Sequence, residues 1–468
     1  MLGARASVLE EGSWARARSR VRITNNGKER MNSAAPRFKS LMPELSQRAD
    51  VSSAFGMYLP RCLREMAGES RPAFPVAVAC LFLCTAAANA GTRVAASCSQ
   101  RDVQEAVNMA SSGDTVLIPG PCSPSWSSVV TIASTQGITI GPTGGTVFIS
   151  GAPALTINQN AYASTRVTGL TFKTIGRSSH PTILVQGNFS PPSATARIDH
   201  NTFISASSGT WIETVGGAPV LIDHNSLNAG AAAEMIHNVA FGPGKGTTIG
   251  WTTDVIPGSA SMVFIEDNAV TCTDSTFLCN VVQSYYGART VVRHNTLNFS
   301  QVDQHGTPGL PWARWWEIYD NTFYSLGLKQ CCYMELRGGS GVVWGNTHVD
   351  ANAVAGGIAL HVEASGCSGT YPLTGYPVAG QIGRGINQTK SPAYFWNNSP
   401  DMPVLIGQGA RCLAQNIDYF VFFSQPTTFQ RCESAADQKS GCPVSYNYTP
   451  YTYPFPLDAN GLPHPPSR

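Results

Sequence analysis

Six times between residues 197 and 349 the chain runs through an extended apolar stretch to an asparagine and then restarts: RIDHNTF, LIDHNSL, FIEDNAV, VRHNTL, EIYDNTF and VWGNTH. The asparagines are Asn201, Asn225, Asn268, Asn295, Asn321 and Asn346, spaced by 24, 43, 27, 26 and 25 residues, and the long gap is close to two ordinary ones. A unit that short cannot bury its own apolar face. It must stack on a copy of itself, which makes the chain a solenoid.

Each unit alternates β-branched and aromatic residues, then breaks at Asn and at Gly-rich turns, with no 3.6-residue pattern between units. Three short strands per coil are therefore expected, not strand plus helix. Asn suits the corner because it tolerates left-handed backbone geometry and its amide mimics a turn. At the strand spacing of about 4.8 Å such amides can bond to one another up the column. The expected fold class is all-β, a right-handed parallel β-helix. Ile198, Ile222, Phe203, Leu227, Phe323 and Val343 face inward in this reading. Residues 100–112 form the one amphipathic helix, with Val103, Ala106, Val107 and Ala110 on one stripe. It should cap the open N-terminal end, where strand edges would otherwise lie unpaired. From about Val129 to Asn398 there is room for about eleven coils. The Pro- and Tyr-rich tail 443–466 is expected to pack back along the outside. His200 and His224, beside corner asparagines, are read as satisfying backbone groups.

With these features the chain resembles the pectate-lyase-like superfamily, and more closely the secreted bacterial right-handed parallel β-helix repeat proteins. The resemblance covers roughly Ser97 to Leu457. Its markers are SCSQRDVQEAVNMASSGDTVLIPG, the IDHN corners, RGGSGVVWGNT at 337–347, QIGRG at 381–385, YFWNN at 394–398 and the terminal YTPYTYPFPL. It implies the fold and export. It does not fix the chemistry, since this fold carries lyases, hydrolases, epimerases and adhesins.

Residues 66–90 have a short polar start with Arg71, the apolar run FPVAVACLFLC, and Ala88-Asn89-Ala90 at the end. That reads as a secretory signal peptide, too short to span a bilayer. A secreted or periplasmic location is expected, with no membrane insertion after cleavage. Residues 1–65 read as an over-extended start or a disordered arm, and 91–457 as one β-helix domain with the tail reaching about 468. Beyond residue 90 there are 18 Lys/Arg against 22 Asp/Glu. A mildly acidic, charge-poor body offers no footprint for nucleic acid. No phosphate loop, HExxH pair or nucleophile elbow appears, and a monomer is expected. Ten cysteines remain in this part, an even count that reads as disulfides in an exported chain. Spacing makes Cys272–Cys279, Cys432–Cys442 and Cys98–Cys122 plausible pairs, and leaves open whether the neighbours Cys331 and Cys332 bond to each other or outward.

Counting twelve residues on from a corner asparagine reaches Glu213, His237 and Asn280 in the first strand of each coil, and later coils supply VDQHGT, CYMELRGG and IALHVEASG. Residues two apart in a strand share a face. Asp303 with His305, Glu335 with Arg337, and His361 with Glu363 should project together, in a vertical file facing solvent. Trp312 and Trp315, in PGLPWARWW, add aromatic surface of the kind that stacks on sugar rings. Such a wall suits an extracellular acidic polysaccharide, with Glu213, His237, Trp312, Trp315 and Glu363 as binding residues.

Two chemistries compete for it. In β-elimination of a uronate, Arg337 would pair with the sugar carboxylate or act as base, with His305 or Lys329 as alternative bases. Asp303 and Glu335 would hold Ca²⁺, which takes oxygen ligands. NTFYSLGLKQCCYMELRGGSGVVWGNT looks like the pectate-lyase stretch that carries its arginines, with Arg337 on the RGG-associated one. The first arginine of the family's RxPxxR motif has no counterpart, and Lys329 is near but offset. Hydrolysis instead needs two carboxyl groups about 5–5.5 Å or about 6.5–9.5 Å apart. Asp303 and Glu335 fit the shorter range on spacing. Binding without turnover is the third reading, and elimination is ranked first.

Overall fold

A computed structural model describes residues 90–464, except 152, 160–162, 175–179, 188–192, 207–208, 231–232, 241–252, 274–275, 277, 306–312, 327–330, 350–355, 362–381, 386–388, 401, 408–409 and 411–412. The readings of residues 1–89 therefore lie outside the described residues.

The strands assemble into three long sheets in which every pairing is parallel and each strand pairs with its counterpart one coil away. The first sheet has 12 strands, from Thr92–Val94 to Tyr419–Phe422; the second has 8, from Phe148–Ser150 to Thr347–His348; the third has 10, from Val130–Ile132 to Val404–Ile406. The fold is a right-handed parallel β-helix. Ile198, Ile222, Phe203, Leu227, Phe323 and Val343 are all fully buried along its axis. Like stacks on like, as with Phe172 and Phe203, whose rings lie 5.1 Å apart.

The asparagines align at the corner between the first and second sheets. Each Nδ2 donates to the Oδ1 of the next at 2.9–3.2 Å, from Asn201 through Asn225, Asn268, Asn295, Asn321 and Asn346 to a seventh rung, Asn398. The same oxygen accepts the backbone N–H of the asparagine below, as Asn321 Oδ1 does from Asn295 at 3.1 Å. The residue with left-handed geometry is not the asparagine but the one before it: His200, His224, Asp267, His294, Asp320 and Asn397 have φ of 52–56°, and Gly345 has 67°. That bend turns the asparagine side chain inward, where its amide replaces missing backbone partners. His200 and His224 do not serve backbone groups. Each Nδ1–H donates to the preceding carboxylate, Asp199 at 2.7 Å and Asp223 at 2.9 Å, and the two rings stack.

The capping helix is Gln100–Met109, shorter than the sequence pattern, with Ser99 as N-cap accepting from the Asp102 N–H. Val103, Ala106 and Val107 are its buried residues. Its glutamines close the open edge of the third sheet: Gln104 Nε2 donates to the Thr131 carbonyl and its Oε1 accepts the Thr131 N–H, while Gln100 reaches the Val129 carbonyl. Those amides stand in for the strand that a further coil would have supplied.

At the other end, Phe429–Arg431 pairs antiparallel with Val444–Tyr446, tied by a Cys432–Cys442 bond. The chain then runs back over the outer face of the first sheet. Arg293 donates to the Tyr451 and Thr452 carbonyls, Arg197 to Gly461 and Arg166 to Asn460, while Phe455 packs on Phe264. These arginines are also paired within the sheet, Arg166 to Asp199, Arg197 to Asp223 and Arg293 to Glu266. A second bond joins Cys331 to Cys332. Cys98 faces Cys122 and Cys272 faces Cys279 as thiol pairs. No described helix is long and apolar enough to cross a membrane.

Candidate functional site

Of the three outer faces, the first sheet's is roofed by the C-terminal segment. The second carries short side chains such as Thr202, Ser226, Thr296 and Thr322. The third sheet presents a connected row of titratable groups that converge on one place.

Its register places Glu213, His237, Gln283, Asp303 and Glu335 in one file, each paired with the next. The file spans four strand spacings, about 19 Å. One residue past the strand ends the ladder continues, with the Arg337 N–H donating to the Gln304 carbonyl, His361 to Leu336 and Gly407 to Leu360. His305, Arg337 and His361 therefore form a second file beside the first. The third sequence pair is displaced from the other two, because His361 stands over Arg337 and Ala359 over Glu335. Lys329, Trp312 and Glu363 lie outside the described residues.

Arg337 is the hub. Its Nη2 donates to Glu335 Oε2 at 2.6 Å and to Asp303 Oδ2 at 3.2 Å. Glu335 Oε1 meets His361 Nδ1 at 2.7 Å, and His305 Nδ1 lies 3.8 Å from Asp303 Oδ2. Gln283 donates to the same Asp303 oxygen at 3.2 Å and accepts the Tyr285 hydroxyl at 2.5 Å, while the Tyr285 ring stands edge-on to His305. Farther along, His237 Nε2 meets Glu234 Oε2 at 2.5 Å.

This is a recess and not the open wall that alternation suggested. Asp303 is fully buried, and the side chains of Arg337, Glu335, His305 and His361 are 11–22 % exposed. The cause is a register shift. Asn280 pairs with Gln301 and Val282 with Val302, so Val281 is an extra residue and both valines enter the core. Asn280 and Gln301, each fully buried, then reach the carboxylates, Asn280 Nδ2 lying 3.5 Å from Asp303 and Gln301 Nε2 3.4 Å from Glu335.

Trp315 is not a sugar platform. It is fully buried on the first sheet, packed with Leu221, Phe264 and Phe455 under the C-terminal segment, and its indole N–H donates to Glu317 at 2.9 Å. The WW doublet straddles the sheet, so the next residue, Trp316, points into the core.

Electrostatics separates the groups. Burial pushes the His305 imidazole down and the neighbouring Arg337 charge pushes the same way, to about 4. Burial would raise the Glu335 carboxyl, but the His361 hydrogen bond and the Arg337 charge outweigh it and hold it at about 2. Burial raises Glu213. The His237 hydrogen bond lowers Glu234.

Solved structures that resemble the chain include a PL6-family alginate lyase, AlyGC, and an arginine-to-alanine mutant of it. Both are 12 % identical and align over 80 % of this chain and 58 % of theirs, with TM-scores of 0.32 and 0.36 for the parent and the mutant. The chain thus spans 58 % of those proteins' length. No protein-family model and no curated protein matches it.

The residues that sequence reasoning missed are Gln283, Tyr285 and Gln301. Their signal is weak, since uncharged polar residues are common on outward strand positions, and only the register shows that Gln283 meets Asp303, Gln301 meets Glu335 and Tyr285 backs Gln283.

Proposed function

We propose that the recess on the third sheet cleaves an acidic, uronate-containing polysaccharide by β-elimination, and that the protein does so as an exported monomer. The observation that carries this reading is the register that seats the His305 imidazole beside the Arg337 guanidinium inside the recess, where burial and that charge push the imidazole down to about 4. Elimination needs a base that is unprotonated at working pH and a positive group that makes the C–H beside the sugar carboxylate acidic. In that scheme Arg337 orients the uronate carboxylate and His305 takes the proton from C5. The C4–O bond breaks as the ring double bond forms, and the proton passes to the departing oxygen or to water.

Hydrolysis fits poorly. A general acid needs a raised pKa, whereas Glu335 is held at about 2. Asp303 is fully buried and engaged by Arg337 and Gln283. Glu213 is raised but sits four strand spacings from Glu335, about 19 Å, beyond either hydrolytic separation.

Two carboxylates against one guanidinium leave the recess formally negative, which disfavours an anionic glycan unless a cation joins it. The donor set suits Ca²⁺: the Asp303 and Glu335 carboxylates, with the buried Asn280 Oδ1 and Gln301 Oε1, which accept no hydrogen bond. All are hard oxygen donors. Bound there, Ca²⁺ would neutralise part of the substrate's carboxylate charge.

The test is absorbance of the unsaturated uronate product over a panel of alginate, pectate and glycosaminoglycans, with and without Ca²⁺. A rise that falls at least about 100-fold in His305→Ala and Arg337→Ala supports elimination. Binding without product in the wild type would instead mark a glycan-holding protein and end the catalytic reading.

A further inference from the structure

A second cluster of ligating groups lies at the edge of this recess. The bond between Cys331 and Cys332 lies four residues before Glu335, at the entry to the same strand. Cys331 is exposed whereas Cys332 is fully buried. A ligand atom of Cys331, one of Glu335 and one of His361 all lie within 4.8 Å of one another. We propose that Cys331, Glu335 and His361 form a binding site for a soft divalent ion such as Zn²⁺, available only when the Cys331–Cys332 bond is reduced.

Sulfur, imidazole and carboxylate make a donor set for Zn²⁺ rather than for Ca²⁺ or Mg²⁺, which prefer oxygen alone. Three protein ligands leave one tetrahedral position for water. Two of the three are already positioned. Glu335 Oε1 and His361 Nδ1 meet at 2.7 Å, and Arg337 holds the other Glu335 oxygen. The His361 ring is seated over Gly407, where an added Cβ would come within 1.7 Å of Cδ2 and 2.0 Å of Nε2. Any larger residue at 407 would displace the imidazole. Outer contacts of this kind commonly set ligand orientation in metal sites.

The third ligand supplies the switch. A disulfide sulfur has no thiolate to offer, and the thiolate is the metal ligand. Exchange with a dithiol transfers two electrons and two protons to the cysteine sulfurs, leaving two thiols and a cyclic disulfide of the reductant. Cys331 then loses its proton as the ion binds. The ion would sit on Glu335 and His361 beside the Arg337 guanidinium, so occupancy and uronate binding should compete. The binding itself does not depend on the eliminating role proposed above.

Co²⁺ is the probe, because a thiolate ligand gives it a charge-transfer band and tetrahedral geometry gives it intense visible bands. The full chain is titrated with Co²⁺, oxidised and after dithiol treatment, and competed with Zn²⁺. Reduced protein should show the thiolate band, lost in Cys331→Ser, and His361→Ala should weaken binding by about 100-fold or more. Cys332→Ser, which leaves Cys331 as a thiol, should bind without any reductant. A band that persists in Cys331→Ser assigns the ion to other thiols and overturns the proposal. So does a folded Cys332→Ser protein without the band. Neither result bears on whether uronates are cleaved.

Discussion

The neutral state of His305 can be measured without knowing the substrate. In the unfolded chain an imidazole titrates near 6.5, whereas in the recess it titrates at about 4. Since the folded pKa is the lower, the unfolded state binds more protons between those values. Stability is therefore intact above about pH 6.5 and is lost as pH falls toward 4. At about 1.4 kcal/mol per unit the full gap of two and a half units is worth about 3.5 kcal/mol, of which about 2.5 kcal/mol is lost by about pH 4.5. His305→Gln removes the titration but keeps a polar side chain. Urea unfolding of wild type and variant at about pH 7 and pH 4.5 isolates the group and its coupling to near neighbours such as Glu234, because the titrations of the more distant groups are common to both proteins. The wild type should lose about 2.5 kcal/mol more than His305→Gln on acidification. Equal losses in the two proteins would show that His305 is not held neutral, and would remove the base from the proposed elimination.

Asn295→Ala takes away the acceptor of the buried Asn268 N–H and a donor to the Ile265 carbonyl, and should cost about 2–6 kcal/mol by urea unfolding. The part-buried terminal rung, Asn398→Ala, should cost about half as much; equal costs would argue against a continuous ladder. Arg293→Met leaves the Glu266 carboxyl without its guanidinium and the Tyr451 and Thr452 carbonyls without a donor. A loss of about 3–5 kcal/mol is expected, with faster proteolysis of residues 444–464 as the local readout. Gly407→Ala should dislodge His361 and let Glu335 rise from about 2, by roughly one unit in a carboxyl-carbon NMR titration.

What was legible in the sequence was whatever the period dictates. The corner asparagines could be counted because each repeats the one before it, and inward residues such as Phe203 and Leu227 because a stacked coil keeps a residue's direction from rung to rung. The left-handed position was misplaced by one residue, since His, Asp, Asn and Gly all occupy it and only the asparagine after it stays constant. Trp315 was misread because nothing local to PGLPWARWW says that a segment more than a hundred residues later covers it. The spacing that paired Asp303 with His305 also paired Glu335 with Arg337, but it carried no information about depth.

Depth comes from one inserted residue. With the ordinary two-residue alternation, Asn280 and Gln301 would stand a regular pairing apart from their neighbours. The extra Val281 instead sends two successive valines into the core and lets both amides approach the carboxylates from the strand's N-terminal side. Gln283 and Tyr285 close the adjacent side, and Asp303 disappears from solvent. Burial and the Arg337 charge then push His305 down to about 4, while the His361 hydrogen bond and the Arg337 charge hold Glu335 at about 2 against the effect of burial. Bulges that re-aim side chains are concentrated near functional sites. Here the irregularity in the repeat, more than the repeat itself, separates a site from an ordinary polar face of the solenoid.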